Sequence, residues 1–353
     1  MAIRGIDLFC GGGGSSWGAR AAGVEMVGAV DAWSMAASTY RRNFPGARVV
    51  ETRLNRRSDK ALLGDIGHID LVLASPECTS HTPARGARVK DEGSRATAFH
   101  VLKFIRKLNP RWAVIENVIQ MRTWERYPNF LAALKEHMHV TEHVLDAQDF
   151  GAPQTRRRLF LMCSKDGPPE PPTPLTERRL TVLDILAPTG TYKTRSVFRS
   201  GLAEPTVARA KRAIDALGRD VPFLIVYYSS DGAGGWQPLD RPIRTLTTLD
   251  RFGLVEWIDG EPRMRMLQVD ELRRAMGFGD DYILDQGSRR DKIKMLGNGV
   301  CPPVMQSVVS ALTGQAHHDH RPCISQVVEQ RMPPVQIPAS STMPLFVGPQ
   351  ISG

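Results

Sequence analysis

Four consecutive glycines, Gly11 to Gly14, stand between an apolar segment at 5–9 and a segment of helical spacing that begins at Ser15. A chain that passes from a strand through such a run into a helix brings its backbone close to whatever lies beyond the strand end, because no Cβ stands in the way. That turn is the first of a series. Apolar segments at 25–30, 71–74, 112–116, 139–145 and 158–163 read as strands, and helical spacing at 15–22, 34–43, 97–108 and 130–137 fills the gaps. Strand and helix in alternation predict a mainly parallel sheet covered on both faces.

The alternation stops at Pro168-Pro169-Glu170-Pro171-Pro172-Thr173-Pro174, which can continue neither a helix nor a central strand. Residues 166–240 therefore read as a linker and a small second domain. The expected division is a first catalytic part at 1–165, that insert, the remainder of the catalytic domain at 241–313 with helices at 268–276 and 302–312, and a flexible, proline-rich tail at 314–353. The fold class is α/β.

Formal charge is +9 over 353 residues, which favours a polyanionic partner. No apolar run approaches the ~20 residues that a membrane helix requires. The first residues lead straight into a strand, which argues against a cleaved signal peptide. Five cysteines without a CxxC pair suggest a reducing, intracellular setting and neither a disulfide framework nor a zinc site. Two histidine groups, His137, His139 and His143, and His317, His318 and His320 with Cys323, read as solvated surface sets, so no metal is expected.

About 20 residues past the glycines, Asp31 closes the next strand, where a carboxylate can accept from both hydroxyls of a ribose. Trp33 can pack on an adenine face, and Asp65-Ile66 can meet the adenine amino group. With Asp7, Phe9, Gly11 and Gly13 these positions describe an adenosine site lacking the G-x-G-x-x-G spacing of a pyrophosphate cradle. S-adenosylmethionine suits them better than NAD.

Cys78 follows the strand at 71–74 directly, a place from which a thiol can attack a ligand. Here the motifs Asp7-Leu8-Phe9-Cys10-Gly11-Gly12, Ser75-Pro76-Glu77-Cys78, Glu116-Asn117-Val118, Gln154-Thr155-Arg156-Arg157-Arg158, Arg241-Pro242-Ile243-Arg244-Thr245-Leu246-Thr247-Thr248 and Gly297-Asn298-Gly299-Val300 occur in the order found in DNA cytosine-5 methyltransferases. The chain resembles that family over about residues 3 to 312. The resemblance implies a Rossmann-like S-adenosylmethionine-dependent methyltransferase sheet with a small target-recognition domain.

It also implies roles. Cys78 adds to C6 of a flipped cytosine. Glu116 holds N3 and the exocyclic amine. Arg158 meets O2, Arg156 lies near Cys78 or a phosphate, and Asn117 fixes the Glu116 loop. Asn298 and Val300 join the cofactor residues. Arg85 and Arg88, in the segment after Cys78, and Thr245 contact DNA. The expected partner is double-stranded DNA, bound by a monomer with a possible cognate restriction enzyme. The expected place is the cytoplasm or nucleoid of a cell of bacterial or phage lineage. One departure stands out. The family places proline before the cysteine, and this chain has Glu77, whose carboxylate is open to raising the thiol pKa, to pairing with an arginine or to touching substrate. Competing readings are a transfer-RNA cytosine-5 methyltransferase, a DNA-binding relative with altered catalysis and, more distantly, a nicotinamide oxidoreductase.

Overall fold

The computed structural model of the chain describes residues 2–77, 92–174, 178–228, 232 and 234–314. Seven strands make the main sheet: β1 (Ile3–Leu8), β2 (Val24–Asp31), β3 (Arg48–Glu51), β4 (Leu71–Ala74), β5 (Trp112–Asn117), β6 (His139–Asp146) and, after the two-residue β7 (Gln154–Thr155), β8 (Arg157–Ser164). Their spatial order is β3-β2-β1-β4-β5-β8-β6. Every neighbouring pair from β3 to β5 is parallel, and β8 runs antiparallel to both β5 and β6. The order reverses direction between β1 and β4, and the crevice at such a switch point is where open α/β sheets bind ligands.

Both faces are covered. Helices α1 (Gly14–Ala21), α2 (Ser34–Asn43) and, far along the chain, α9 (Pro302–Thr313) pack one face through Trp17, Tyr40, Val304 and Val308. The short α3 (Glu92–Arg95) leads into α4 (Thr97–Leu108), which with α5 (Tyr127–Lys135) packs the other face through Val101, Phe104, Ile105, Phe130 and Leu134. The central strands are buried on both sides, as Leu71-Val72-Leu73-Ala74 displays. Proline at the first turns of α5 and α9 costs no hydrogen bond there and presets φ.

A second sheet of order β11-β10-β13-β14-β9 joins β9 (Arg195–Ser196), β10 (Phe223–Val226), β11 (Trp236–Pro238), β13 (Phe252–Ile258) and β14 (Glu261–Met266), with α6 (Glu204–Leu217) on its outer face. The boundary expected at 240 is therefore not where this sheet ends. Its central strand β13 lies beyond that point and pairs back to β10. Strand β12 (Ile243–Arg244) instead pairs with β7.

The inner face of the second sheet shares one core with the main sheet through Leu224, Val226, Phe252 and Leu254. A buried pair ties the second sheet to the helix that follows it: Arg265 on β14 donates to both carboxylate oxygens of Glu271, at 2.7 and 2.8 Å, on α7 (Val269–Ala275). Helix α8 (Arg289–Asn298) follows. No helix among the described residues is long and apolar enough to cross a membrane.

Candidate active site

Register alone assembles the site. Leu8 pairs with Val30 and with Ala74, and Ala74 pairs with Ile115. Phe9, Asp31, Ser75 and Glu116 consequently emerge level with one another at the carboxyl ends of four adjacent strands. The β5–β8 pairing sets Glu116 opposite Phe160, which places Arg158 on the same face one diagonal away.

At the β1 end the chain turns with strain. Phe9 has φ 60°, a left-handed conformation that costs a non-glycine residue about 1–3 kcal/mol and gathers at functional sites. Gly11 follows at φ 52°, and a Cβ there would meet nothing within 4 Å, so this part of the turn faces open space. Its N–H donates to Asp31 Oδ2 at 2.8 Å, and the Trp33 N–H donates to Oδ1 at 2.8 Å. Burial pushes the Asp31 carboxyl up, and the backbone donors oppose that shift.

Gly14 behaves differently: a Cβ there would lie 2.3 Å from the Val300 carbonyl oxygen. The glycine run thus serves two partners, open space on one side and the start of α9 on the other. Val300 itself is buried in the core behind the turn.

Beneath the turn Asp7 is fully buried. Tyr40 donates to the Ser16 hydroxyl at 2.8 Å, and Ser16 donates to Asp7 Oδ2 at 2.7 Å. Asp7 Oδ1 is buried with no hydrogen-bond partner. Burial raises the Asp7 carboxyl to about 7, with the Ser16 bond pulling the other way. The remaining expected cofactor positions lie further out. Lys294 covers one face of Trp33 at 4.4 Å from the ring centroid. Asp65 is exposed and accepts from the N–H of Gly67 at 3.2 Å, closing its own turn, while Ile66 packs on the second core. Asn298 is exposed at the end of α8.

At the β5 end Glu116 is buried, with Arg158 Nε 3.5 Å from Oε1. Burial raises the Glu116 pKa, and the guanidiniums of Arg158 and then Arg156 lower it. Asn117 donates from Nδ2 to the Pro76 carbonyl at 3.1 Å and accepts the Val118 N–H on Oδ1 at 2.8 Å. This ties the strand carrying Glu116 to the segment that runs into Cys78. Cys78, Arg85 and Arg88 lie outside the described residues.

Arg156 departs from the expectation of a substrate-side role. It is buried, and its guanidinium donates to the carbonyls of Leu246 (3.2 Å), Gly297 (3.0 Å) and Gly299 (2.8 Å). The reason is a break in the strand. Its N–H turns to Asp146 Oδ1 at 2.8 Å between β7 and β8, so its side chain leaves the face that Arg158 keeps. Gln154 does similar work, donating to the Ala275 carbonyl and accepting the Leu246 N–H. Thr245, expected at DNA, donates its hydroxyl to the Thr155 carbonyl at 2.6 Å.

Sequence reasoning missed three participants. Arg53 pairs with Glu77 at 2.7 Å, Tyr40 completes the relay to Asp7, and Tyr282 donates to the Gly12 carbonyl at 2.6 Å. None had a local signal, because each acts on a residue at least 24 positions away. No group of three or more metal-ligating side chains occurs among the described residues.

A glycine turn, an acid at the next strand end and an antiparallel strand inserted beside β5 define the Rossmann-like sheet of S-adenosylmethionine-dependent methyltransferases. The C-5 cytosine-specific DNA methylase family model matches residues 3–314, and the chain belongs to that family. It is 26% identical over 349 residues to the Type II methyltransferase M1.HphI of Haemophilus parahaemolyticus, covering 88% of this chain and 87% of that protein. It is 34% identical over 193 residues to the Type II methyltransferase M.XorII of Xanthomonas oryzae pv. oryzae, a match that spans 52% of this chain and only 45% of M.XorII. Among solved structures, the Entamoeba histolytica methyltransferase EhMeth superposes with TM-score 0.66 at 15% identity, covering 89% of this chain and 98% of that one. The S. pombe Dnmt2 methyltransferase gives 0.60 at 15%, covering 88% and 98%.

Proposed function

We propose that this chain methylates C5 of cytosine in double-stranded DNA, using S-adenosylmethionine and a covalent adduct between Cys78 and C6 of a flipped base. The observation that carries the reading is the shared level of three strand ends: the Gly11 turn, the Ser75–Glu77 approach to Cys78, and Glu116 with Arg158. Those are a cofactor cradle, the approach to a nucleophile and an acid with a cation, side by side.

The residues fit the cofactor. Gly11 leaves room for a ligand against the backbone, and Asp31 stands beside it at the end of β2, placed to accept from ribose hydroxyls. Phe9, Gly13, Trp33, Asp65, Ile66, Asn298 and Val300 are the further positions assigned to holding it or shaping its pocket. Bound there, S-adenosylmethionine supplies an electrophilic methyl group.

The protein's task is to make C5 nucleophilic. The Cys78 thiolate adds to C6, and the displaced electron pair moves toward C5 and N3. Glu116, whose pKa burial raises while Arg158 and Arg156 lower it, is the acid placed to share a proton with N3 as charge builds there. Arg158, 3.5 Å from Glu116, is the cation available to O2. After transfer a water or hydroxide takes the C5 proton, its electron pair re-forms the C5–C6 double bond, and the C6–S bond breaks to return the thiolate. A base inside a duplex is out of reach of all these groups, so the reading requires flipping.

The test uses labelled S-adenosylmethionine with duplex DNA of varied sequence, and with transfer RNA as a parallel acceptor. Label at C5 of cytosine in DNA is the expected result. Wild-type protein should form a denaturant-resistant complex with 5-fluorocytosine DNA, and Cys78→Ser should not. Transfer confined to RNA overturns the DNA assignment, and transfer by Cys78→Ser overturns the adduct. The Type II names of the relatives place those proteins in restriction–modification. For this chain a cognate restriction enzyme, a monomeric state and a cytoplasmic or nucleoid location are part of the same proposal.

A further inference from the structure

The residue before the nucleophile is Glu77, and the structure gives its side chain a partner. Arg53 Nη2 lies 2.7 Å from Glu77 Oε1. Arg53 stands on a braced platform at the end of the sheet. The Thr52 N–H donates to the Asp31 carbonyl at 2.9 Å, and Leu54 is buried in the second core. Asn55 accepts the Arg57 N–H and, with Ser58, closes a turn, while Lys103 on α4 donates to the carbonyls of Arg56 and Arg57. The opposite side of the segment is held by Asn117 on the Pro76 carbonyl.

A proline at 77 would restrict φ of the residue ahead of Cys78 through its own ring. Glutamate imposes no such restriction. Unpaired, its carboxylate would also repel the nearby Asp31 and approaching DNA phosphates. We propose that Arg53 is a positioning residue whose ion pair with Glu77, together with Asn117, holds the approach to Cys78 in place of the missing proline ring. The same pair links that approach to the segment leaving β3, which is bonded to the Asp31 carbonyl, so the approach to the nucleophile and the cofactor edge are braced together. This inference rests on the assignment of Cys78 as nucleophile, and the experiment below separates the two.

Backbone amide exchange at Ser75 and Glu77 is read first, in the free protein, and needs no turnover. Arg53→Ala should raise it, and the charge swap Arg53→Glu with Glu77→Arg should restore it relative to Arg53→Glu alone. Unchanged exchange in Arg53→Ala overturns the clamp. Transfer kinetics follow. Arg53→Ala should lower kcat roughly tenfold, inside the ~100-fold that a 1 Å misplacement can cost, with KM for DNA within about twofold. Arg53→Lys should recover part of the loss. In a Glu77→Pro background the same Arg53→Ala change should cost less than about twofold, because the ring now restrains the segment. An equal loss in both backgrounds, or a rise in DNA KM that steepens with salt, would make Arg53 a phosphate contact instead. Trapping of wild type on 5-fluorocytosine DNA together with additive variants removes only the clamp. Absent trapping removes the nucleophile assignment and leaves the exchange result to judge the clamp.

Discussion

Arg156 and Arg158 are two residues apart and share one motif, yet the structure assigns them opposite work. The Arg156 guanidinium holds three backbone carbonyls, one from the loop after β12 and two from the C-terminal end of α8. A hydrogen bond to a charged donor is worth about 1.5–3 kcal/mol, and removing the donor leaves buried carbonyls unsatisfied. Arg156→Ala should therefore destabilise the protein by at least about 4 kcal/mol, allowing for relaxation around the truncated side chain. Arg156→Lys should lose roughly half of that, since an ammonium cannot span three acceptors in a planar fork. Arg158 is held by Glu116 and by the Arg157 carbonyl. Its loss leaves a buried acid that can take up a proton, so Arg158→Ala should cost less than about 2 kcal/mol while lowering transfer ~100-fold or more. Urea denaturation of both variants beside wild type, with transfer measured on the folded fraction, decides the matter. An Arg156→Ala protein that unfolds at the wild-type midpoint yet transfers no methyl group would refute the structural assignment and return Arg156 to the substrate.

Three further outcomes are expected. Glu116→Gln should lower kcat by roughly 10²–10⁴, and should flatten the alkaline fall in wild-type kcat that follows from ionisation of a carboxyl raised by burial. Asp7 titrates at about 7 in the fold against its usual 3.8, so between those values the folded state holds a proton that the unfolded chain has released, and the Asp7 contribution to stability falls as pH rises to about 7 and is level above it. Asp7→Asn should remove that slope, gaining on wild type by an amount on the order of 4 kcal/mol between pH 4 and pH 8, read by denaturation at each pH. Gly14→Ala should cost several kcal/mol, since its Cβ would meet the Val300 carbonyl at 2.3 Å, whereas Gly11→Ala, strained by its φ of 52° but facing open space, should weaken cofactor binding with about 1 kcal/mol lost in stability. Calorimetric titration with S-adenosylmethionine beside thermal melts separates the two.

What could be read from the chain follows what burial writes into it. Strands β1, β2, β4, β5, β6 and β8 and helices α1, α2 and α4 carry continuous apolar runs or clean helical spacing, and all were legible. Strand β3 was not, because an edge strand bounded by Arg48 and Glu51 has only Val49 and Val50 to announce it. Helix α8 was hidden by its charge, although Ser288 and Asp291 form a capping box at its start. The second sheet failed for another reason. Strand β13 is apolar, but its partner β10 lies across β11 and β12 in the chain, and pairing at that distance leaves no local mark.

The site divides along the same line. Motifs identify residues by type and spacing, so Asp7, Asp31, Glu116 and Arg158 were named from sequence, but spacing carries orientation only while one strand continues. Gln154, Arg156 and Arg158 alternate as if on a single strand with one common face. The chain instead ends β7 at Thr155, where that strand pairs with β12, and starts β8 at Arg157 against β5 and β6. Arg156 sits in the break with its N–H on Asp146, and its side chain turns to the carbonyls behind the site. The Glu77–Arg53 pair repeats the lesson from the other direction. A departure from the family pattern was visible in sequence, but its compensation was not, because Arg53 is brought to residue 77 only when β3, β2, β1 and β4 come into register.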